Sequence, residues 1–450
     1  MKRTLIHNAD IVSGGKPRRG WLLIEGERIK AMGNGEAPDS VALGAELVDA
    51  EGDLLLPGMI DTHVHFRDPG LTRKADIASE SAAALAGGVT SFIDMPNTVP
   101  PTTSLEAWER KMEHAAEASL ANYAFYLGAT NTNLDSDLLR ADYSRVPGVK
   151  LFLGSSTGNL LVDSRQALER LFAEVEAPIA VHAEDNARIA LHAALAREVF
   201  GEEEVPVEFH PVIRDAQACL SSALTAMELA AKHGARLHLL HVSTSAEAKL
   251  LRAAKPDWLT AETCIHYLTF ADTDYADRGT RIKCNPAIKG TTDRSALRKA
   301  VKEGVIDTIG SDHAPHLREE KQGDALTAPS GMPGIQFQLP LLLDLFTPQR
   351  VAELTATRPA EIFGIEERGR LAEGMYADVV RIKREPHTIT ADEVMSRCGW
   401  TPYEGMECGH KVVSTWLNGT LAYHEGVLST VSILSTVSRP LKFKKQRKNV

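Results

Sequence analysis

Three residues with chemical reach sit close together early in the chain. They are His63, His65 and Arg67, spaced two apart within Leu54-Leu55-Leu56-Pro57-Gly58-Met59-Ile60-Asp61-Thr62-His63-Val64-His65-Phe66-Arg67-Asp68-Pro69-Gly70. An apolar run leads into them and a Pro-Gly pair stops it. Side chains two apart on a strand point to one face, so the three project together from a strand end that the Pro-Gly turn closes. Two neutral imidazoles side by side can bind one metal ion, and the planar fork of Arg67 suits a carboxylate. On its own, His-x-His is equally compatible with an ordinary strand that carries two histidines.

Groups of the same kinds recur at the ends of later apolar runs. Asp94-Met95-Pro96-Asn97-Thr98 ends one, and Lys150 lies within Gly148-Val149-Lys150-Leu151-Phe152-Leu153-Gly154. Val181-His182-Ala183-Glu184-Asp185 and Leu239-Leu240-His241-Val242-Ser243 end two more, and Gly310-Ser311-Asp312-His313-Ala314-Pro315-His316 ends the last. Four histidines, a lysine and an aspartate in equivalent positions describe a metal-hydrolase site. The donor types suit Zn2+, which favours imidazole with some oxygen donation. His63 and His65 with Asp312 could hold one ion and His182 with His241 a second, leaving each ion short of a ligand that a bridging oxygen group would supply. Lys150 meets that need only as a neutral amine. An ammonium would be repelled by two dications, whereas the amine is nucleophilic and can be carboxylated by CO2, giving an anionic bridge.

These residues need strands that end at one edge. Residues 57–365 alternate strand candidates (55–62, 89–96, 122–129, 149–153, 178–183, 236–243, 258–265 and 306–311) with helix-like segments (77–86, 104–118, 164–175, 215–232, 245–254 and 293–303). Eight strands alternating with helices predict an α/β fold, a parallel TIM-like (β/α)8 barrel whose chemistry sits where strands end. Residues 1–56 and 366–430 read as short strands separated by turns, and are expected to pair into one small β-sandwich domain with the barrel inserted between them. Residues 431–450 form a basic tail carrying Arg439, Lys442, Lys444, Lys445, Arg447 and Lys448, expected to be solvated and frayed.

A chain of 450 residues is long enough for a barrel and a smaller domain. A formal net charge of -10 argues against nucleic acid as a partner. The five cysteines are scattered, with no Cys-x-x-Cys pair, which fits a reducing cytoplasm. Nowhere do roughly 18 apolar residues run together, so no membrane span is expected. The expectation is a soluble, cytoplasmic protein acting on a small molecule.

The strand-end residues resemble the amidohydrolase superfamily and, within it, the dihydroorotases. The likeness is carried in order by His63-x-His65-x-Arg67, Met95-Pro96-Asn97, Val149-Lys150-Leu151, His182-Ala183-Glu184, His241-Val242-Ser243 and Ser311-Asp312-His313-Ala314-Pro315-His316. It continues through Thr357-Arg358-Pro359-Ala360 and Gly369-Arg370-Leu371-Ala372-Glu373-Gly374-Met375-Tyr376-Ala377-Asp378. It implies two Zn2+ ions bridged by carboxylated Lys150, where some relatives carry aspartate instead. The family's Pro-His-His is here Cys264-Ile265-His266, so no role passes to His266.

The implied reaction is reversible cyclisation of N-carbamoyl-L-aspartate to L-dihydroorotate with loss of water, a step of de novo pyrimidine biosynthesis. In the hydrolytic direction a hydroxide bridging the two ions attacks the ring amide, and Asp312 moves the proton. Arg67, Asn97 and His316 resemble the clamp for the substrate's non-reacting carboxylate, with Asn285 beside them. The small polar loop 154–159 reads as a lid. His7, His114, His192, His233, His387, His410 and His424 have no motif around them and are expected to be solvated. His238 should face away from His241, His210 reads as structural, and His313 as packing or orienting its neighbours. The rivals are another cyclic amidase, a hydantoinase or allantoinase, and a catalytically inactive dihydroorotase-like subunit. The clamp argues against the first and the intact ligand set against the second. A homodimer would suit the superfamily.

Overall fold

The computed structural model describes residues 1–154, 160–201 and 203–444. Strands enclosed on both faces read as continuous apolar runs, and the central segment supplies eight of them. They are Met59–Val64, Val89–Asp94, Asn122–Phe125 continued by Leu127–Gly128, Val149–Phe152, Ile179–His182, Leu237–Leu239, Leu259–Cys264 and Thr308–Gly310. Sequence neighbours pair in parallel. The third strand is interrupted at Tyr126, so its first half extends the sheet of the first two strands and its second half starts the sheet of the other five. The His65 N–H donates to His313 O at 2.8 Å and closes the ring. The expected barrel is present, its strands one to three residues shorter than their apolar runs in most cases because the ends turn into loops.

The helices begin where the sequence supplies caps. Asp76 accepts the Ser79 N–H while Ser79 Oγ accepts the Asp76 N–H, and Thr244 and Glu247 make the same reciprocal pair. Such caps satisfy N–H groups that the first turn leaves without partners, about 1 kcal/mol each. Ser104, Ser164 and Asp215 cap Leu105–Ala118, Arg165–Glu174 and Ala216–His233, close to the expected boundaries. A further helix, Asn186–Phe200, was not expected from the sequence. It buries only Ile189 and Ala196, so no apolar stripe marks it.

The two ends of the chain do meet. Leu54–Pro57 runs parallel to Arg3–Ile11 and antiparallel to Val379–Thr388, joining both ends in one nine-stranded sheet. Ile6, Leu22, Ile24, Leu55, Val379 and Trp416 pack together within it. Arg381 Nε donates to Asp53 Oδ2 at 2.7 Å, a buried ion pair across the same seam. The Asn418-Gly419 turn signal joins Glu407–Leu417 to Thr420–His424, with φ of 46° and 79°. Gly419 is required there twice over, because a Cβ would lie 2.0 Å from Gly26 O.

The tail corrects one expectation. Residues up to 444 are docked rather than frayed: after a short helix, Val431–Val437, Leu441 N–H donates to Tyr123 O at 2.9 Å and Phe443 N–H to Ser144 O at 3.0 Å. Leu441 and Phe443 are buried while Lys442 and Lys444 alternate outward. The basic residues drew attention in the sequence, and the apolar ones between them decide the packing. Lys445, Arg447 and Lys448 lie outside the described residues.

Candidate metal centre and substrate pocket

The ends of the first, fourth, fifth, sixth and eighth strands converge on one cavity of about 250 Å³. His63, His65, Arg67, Asn97, Lys150, His182, His241, Asn285, Asp312 and His316, all expected from the sequence, line it together. A larger cavity of about 510 Å³ lies against the composite sheet, and none of these residues reaches it. Arg67, His241 and Asp312 have φ of 66°, 39° and 46°. Left-handed backbone at non-glycine residues costs of order 1 kcal/mol or more each and collects at functional sites.

On one side of the cavity, His63 Nε2 and His65 Nε2 lie 3.2 and 3.1 Å from Asp312 Oδ1. Their other nitrogens are committed. His63 Nδ1 donates to Glu262 Oε1 at 2.6 Å, and His65 Nδ1 donates to Asn97 Oδ1 at 2.7 Å. With the ring protons held there, the Nε2 atoms present lone pairs to a carboxylate oxygen. Three acceptors converge with no donor among them, and a cation resolves that. One ligand atom from each residue falls within 4.8 Å of the others, close enough for one ion.

The other side shows the same logic. His182 Nδ1 and His241 Nε2 face each other at 2.8 Å, and Glu184 Oε2 lies 3.0 Å from His182 Nε2 without a hydrogen bond forming between them. Burial lowers the pKa of His65, His182 and His241, keeping them in the neutral form that binds metal. Lys150 is buried and lines the same cavity, its Nζ 4.5 Å from the centre of the Phe152 ring. Burial draws its pKa down from the ordinary lysine value to about 7, against the opposing pull of Asp312 and Glu262. Burial raises the Asp312 carboxyl, and only positive charge on the imidazoles of His63, His65 and His241 pulls it well below the usual carboxylate range.

The remaining wall is cationic. Arg67 is buried and its Nε donates to Pro315 O at 3.0 Å, while Nη2 approaches His316 Nε2 at 3.1 Å. Burial lowers Arg67 to about 10 and His316 to about 2, the latter with help from Arg67 and Lys74. Asn285 Oδ1 accepts from Ser330 Oγ at 2.9 Å. Asn97 faces the cavity while its carbonyl is engaged by His65.

Sequence reasoning gave Glu262 no role, although it fixes His63 and also accepts from Thr62 Oγ1 at 3.2 Å. Burial would raise its carboxyl, but His63 and His238 hold it down at about 2. Its only signal was an acid inside an apolar strand. Glu80 was missed likewise: it accepts from His313 Nε2 at 2.6 Å, and His313 Nδ1 accepts the Gly334 N–H at 3.0 Å, so His313 orients the loop after Asp312. Asp94 is structural, accepting the Phe66 N–H and pairing with Lys111. His210, as expected, is buried and structural, bonded to Cys284 O at 2.9 Å. His233 and His410 are paired with Glu169 and Asp344 rather than merely solvated. His266 is buried and neither ring nitrogen has a hydrogen-bond partner among the described residues. Residues 155–159 of the loop read as a lid lie outside the described residues.

The amidohydrolase family profile matches residues 54–422, and the chain belongs to that family. Among its relatives, a dihydroorotase of Halobacterium salinarum is 36% identical over 419 residues, covering 91% of this chain and 94% of that protein. An allantoinase of Bacillus velezensis is 30% identical, covering 98% of each. The solved structure of an L-hydantoinase (dihydropyrimidinase) from Arthrobacter aurescens superposes with a TM-score of 0.89 at 25% identity, over 96% of this chain and 98% of that one.

Proposed function

We propose that this chain is a dihydroorotase, which closes N-carbamoyl-L-aspartate to L-dihydroorotate with loss of water and reopens the ring in reverse, in pyrimidine biosynthesis. It hydrolyses a cyclic amide C–N bond in the reverse direction. The observation that carries the reading is the placement of Arg67 and His316 in the same cavity as the convergent acceptors. A clamp for a second carboxylate is what separates this substrate from hydantoin or allantoin. The similarity to the Halobacterium salinarum dihydroorotase supports it.

The acceptor set fits two Zn2+ ions, held by His63, His65 and Asp312 on one side and by His182 and His241 on the other. Lys150 is the proposed bridge. Its buried amine would add to the carbon of CO2 with release of one proton, and the resulting carbamate would supply the oxygen donors that the two groups of residues lack. When bound, the ions would polarise the substrate carbonyl and lower the pKa of water to about 7.

The chain's own groups do the rest. Asp312 accepts the ureido nitrogen's proton as that nitrogen bonds to the carboxylate carbon and passes it to the departing oxygen, which takes a second proton from solvent and leaves as water; in ring opening it takes a proton from the attacking water and delivers it to the departing nitrogen. Arg67 pairs its fork with the non-reacting carboxylate, and His316, Asn97 and Asn285 fix its orientation. Among the described residues no helix is long and apolar enough to cross a membrane. A cytoplasmic location, a homodimer and the division into a barrel of residues 57–365, a composite domain and a tail belong to the same proposal.

The test is cyclisation of N-carbamoyl-L-aspartate by the purified protein. The rate should fall to background after chelation and return with added Zn2+. Absence of turnover with two zinc ions bound per chain would favour the inactive-subunit reading instead.

A further inference from the structure

Behind the cationic wall, and outside the cavity lining, stands Lys74. The His316 ring has three close neighbours: Lys74 Nζ is 2.9 Å from Nδ1, and Ser330 O and Arg67 Nη2 are each 3.1 Å from Nε2. An ammonium can only donate, so Nδ1 is the acceptor and the ring proton belongs on Nε2, where Ser330 O takes it. The Arg67–His316 contact is then one donor facing another. Such a pair is not a hydrogen bond; an anionic oxygen seated between the two groups takes the Arg67 donor outright and competes with the neutral Ser330 carbonyl for the one Nε2 proton, as the stronger acceptor.

We propose that Lys74 is a specificity-determining positioning residue: by fixing His316 as the Nε2–H tautomer beside Arg67, it builds a two-donor seat for the substrate's non-reacting carboxylate. The inference rests on the dihydroorotase reading and deepens it.

The other tautomer has a partner waiting, which is why a fixed choice is needed. Glu320 Oε2 lies 3.6 Å from His316 Nδ1. Were Lys74 absent, Nδ1–H would turn to that carboxylate, and the bare Nε2 would accept from Arg67 Nη2. The seat would lose one donor and have another consumed internally. In the intact protein Glu320 serves Lys74 instead, with Oε2 3.3 Å from Nζ, and is itself fixed by the Leu317 N–H at 3.0 Å. The wall behind Ser330 is fixed too, because Lys321 Nζ donates to the carbonyls of Pro329 and Gly331 at 2.7 and 2.9 Å. Lys74 therefore acts through His316, without touching the cavity.

The experiment compares wild type, Lys74→Met and Lys74→Arg by steady-state kinetics on L-dihydroorotate and by 15N NMR of the His316 ring, assigned by its loss in His316→Gln. Lys74→Met should raise KM on the order of 10- to 100-fold with little change in kcat. The His316 ring should move to the Nδ1–H tautomer, and Lys74→Arg should restore much of both. A merely structural role would lower the melting temperature and leave the tautomer unchanged. Wild-type turnover combined with an unchanged KM in Lys74→Met, or a wild-type ring already protonated on Nδ1, overturns the inference alone. Absence of dihydroorotate turnover in the wild type overturns the function reading and the inference with it.

Discussion

At the residue scale, the site is built from pairs in which one member holds a proton so that the other can face the cavity. Glu262 and Asn97 take the Nδ1 protons of His63 and His65, and the freed Nε2 lone pairs point at Asp312. Glu262→Gln preserves volume but can present its amide N–H to the ring, leaving the proton unfixed. Zinc affinity, read by competition with a metal buffer, should weaken about 10- to 100-fold, and an unaltered affinity would contradict the role. Arg67→Lys keeps a charge but loses the planar fork, so KM for dihydroorotate should rise about tenfold or more in steady-state assays. The residues that line the cavity were legible because His-x-His spacing and strand-end histidines are local patterns. Glu262, Glu80 and Lys74 were not, because each acts on a side chain from another strand or loop and carries no local pattern of its own.

At the scale of elements, continuous apolar runs revealed the barrel strands, and the expected helix starts at 104, 164 and 215 coincide with the observed caps Ser104, Ser164 and Asp215. Asn186–Phe200 escaped because it buries too little to leave a stripe. The tail escaped for a different reason: alternation over a few residues, Leu441 and Phe443 inward against Lys442 and Lys444 outward, is too short to stand out beside a run of charge. Phe443→Ala should destabilise the protein by about 3 kcal/mol in a denaturant titration, as a buried phenylalanine does. A midpoint that does not move would mean that the tail is frayed after all.

For the whole molecule, the barrel supplies the site and the composite sheet ties both chain ends against it. The convergent acceptors set a carboxylate and imidazole lone pairs against one another in the folded state alone. Ions that bind there stabilise the folded protein by mass action. Chelation should therefore lower the melting temperature in a thermal scan, and added Zn2+ should raise it in a concentration-dependent way. A melting temperature indifferent to both would contradict a metal centre.

The most direct measurement is the specificity constant of the zinc-loaded protein on L-dihydroorotate, hydantoin and allantoin, repeated with Arg67→Ala. The account predicts a clear preference for dihydroorotate in the wild type, and a collapse of that preference in the variant as the carboxylate loses its partner. A higher constant on hydantoin or allantoin, or a preference that survives Arg67→Ala, would contradict it.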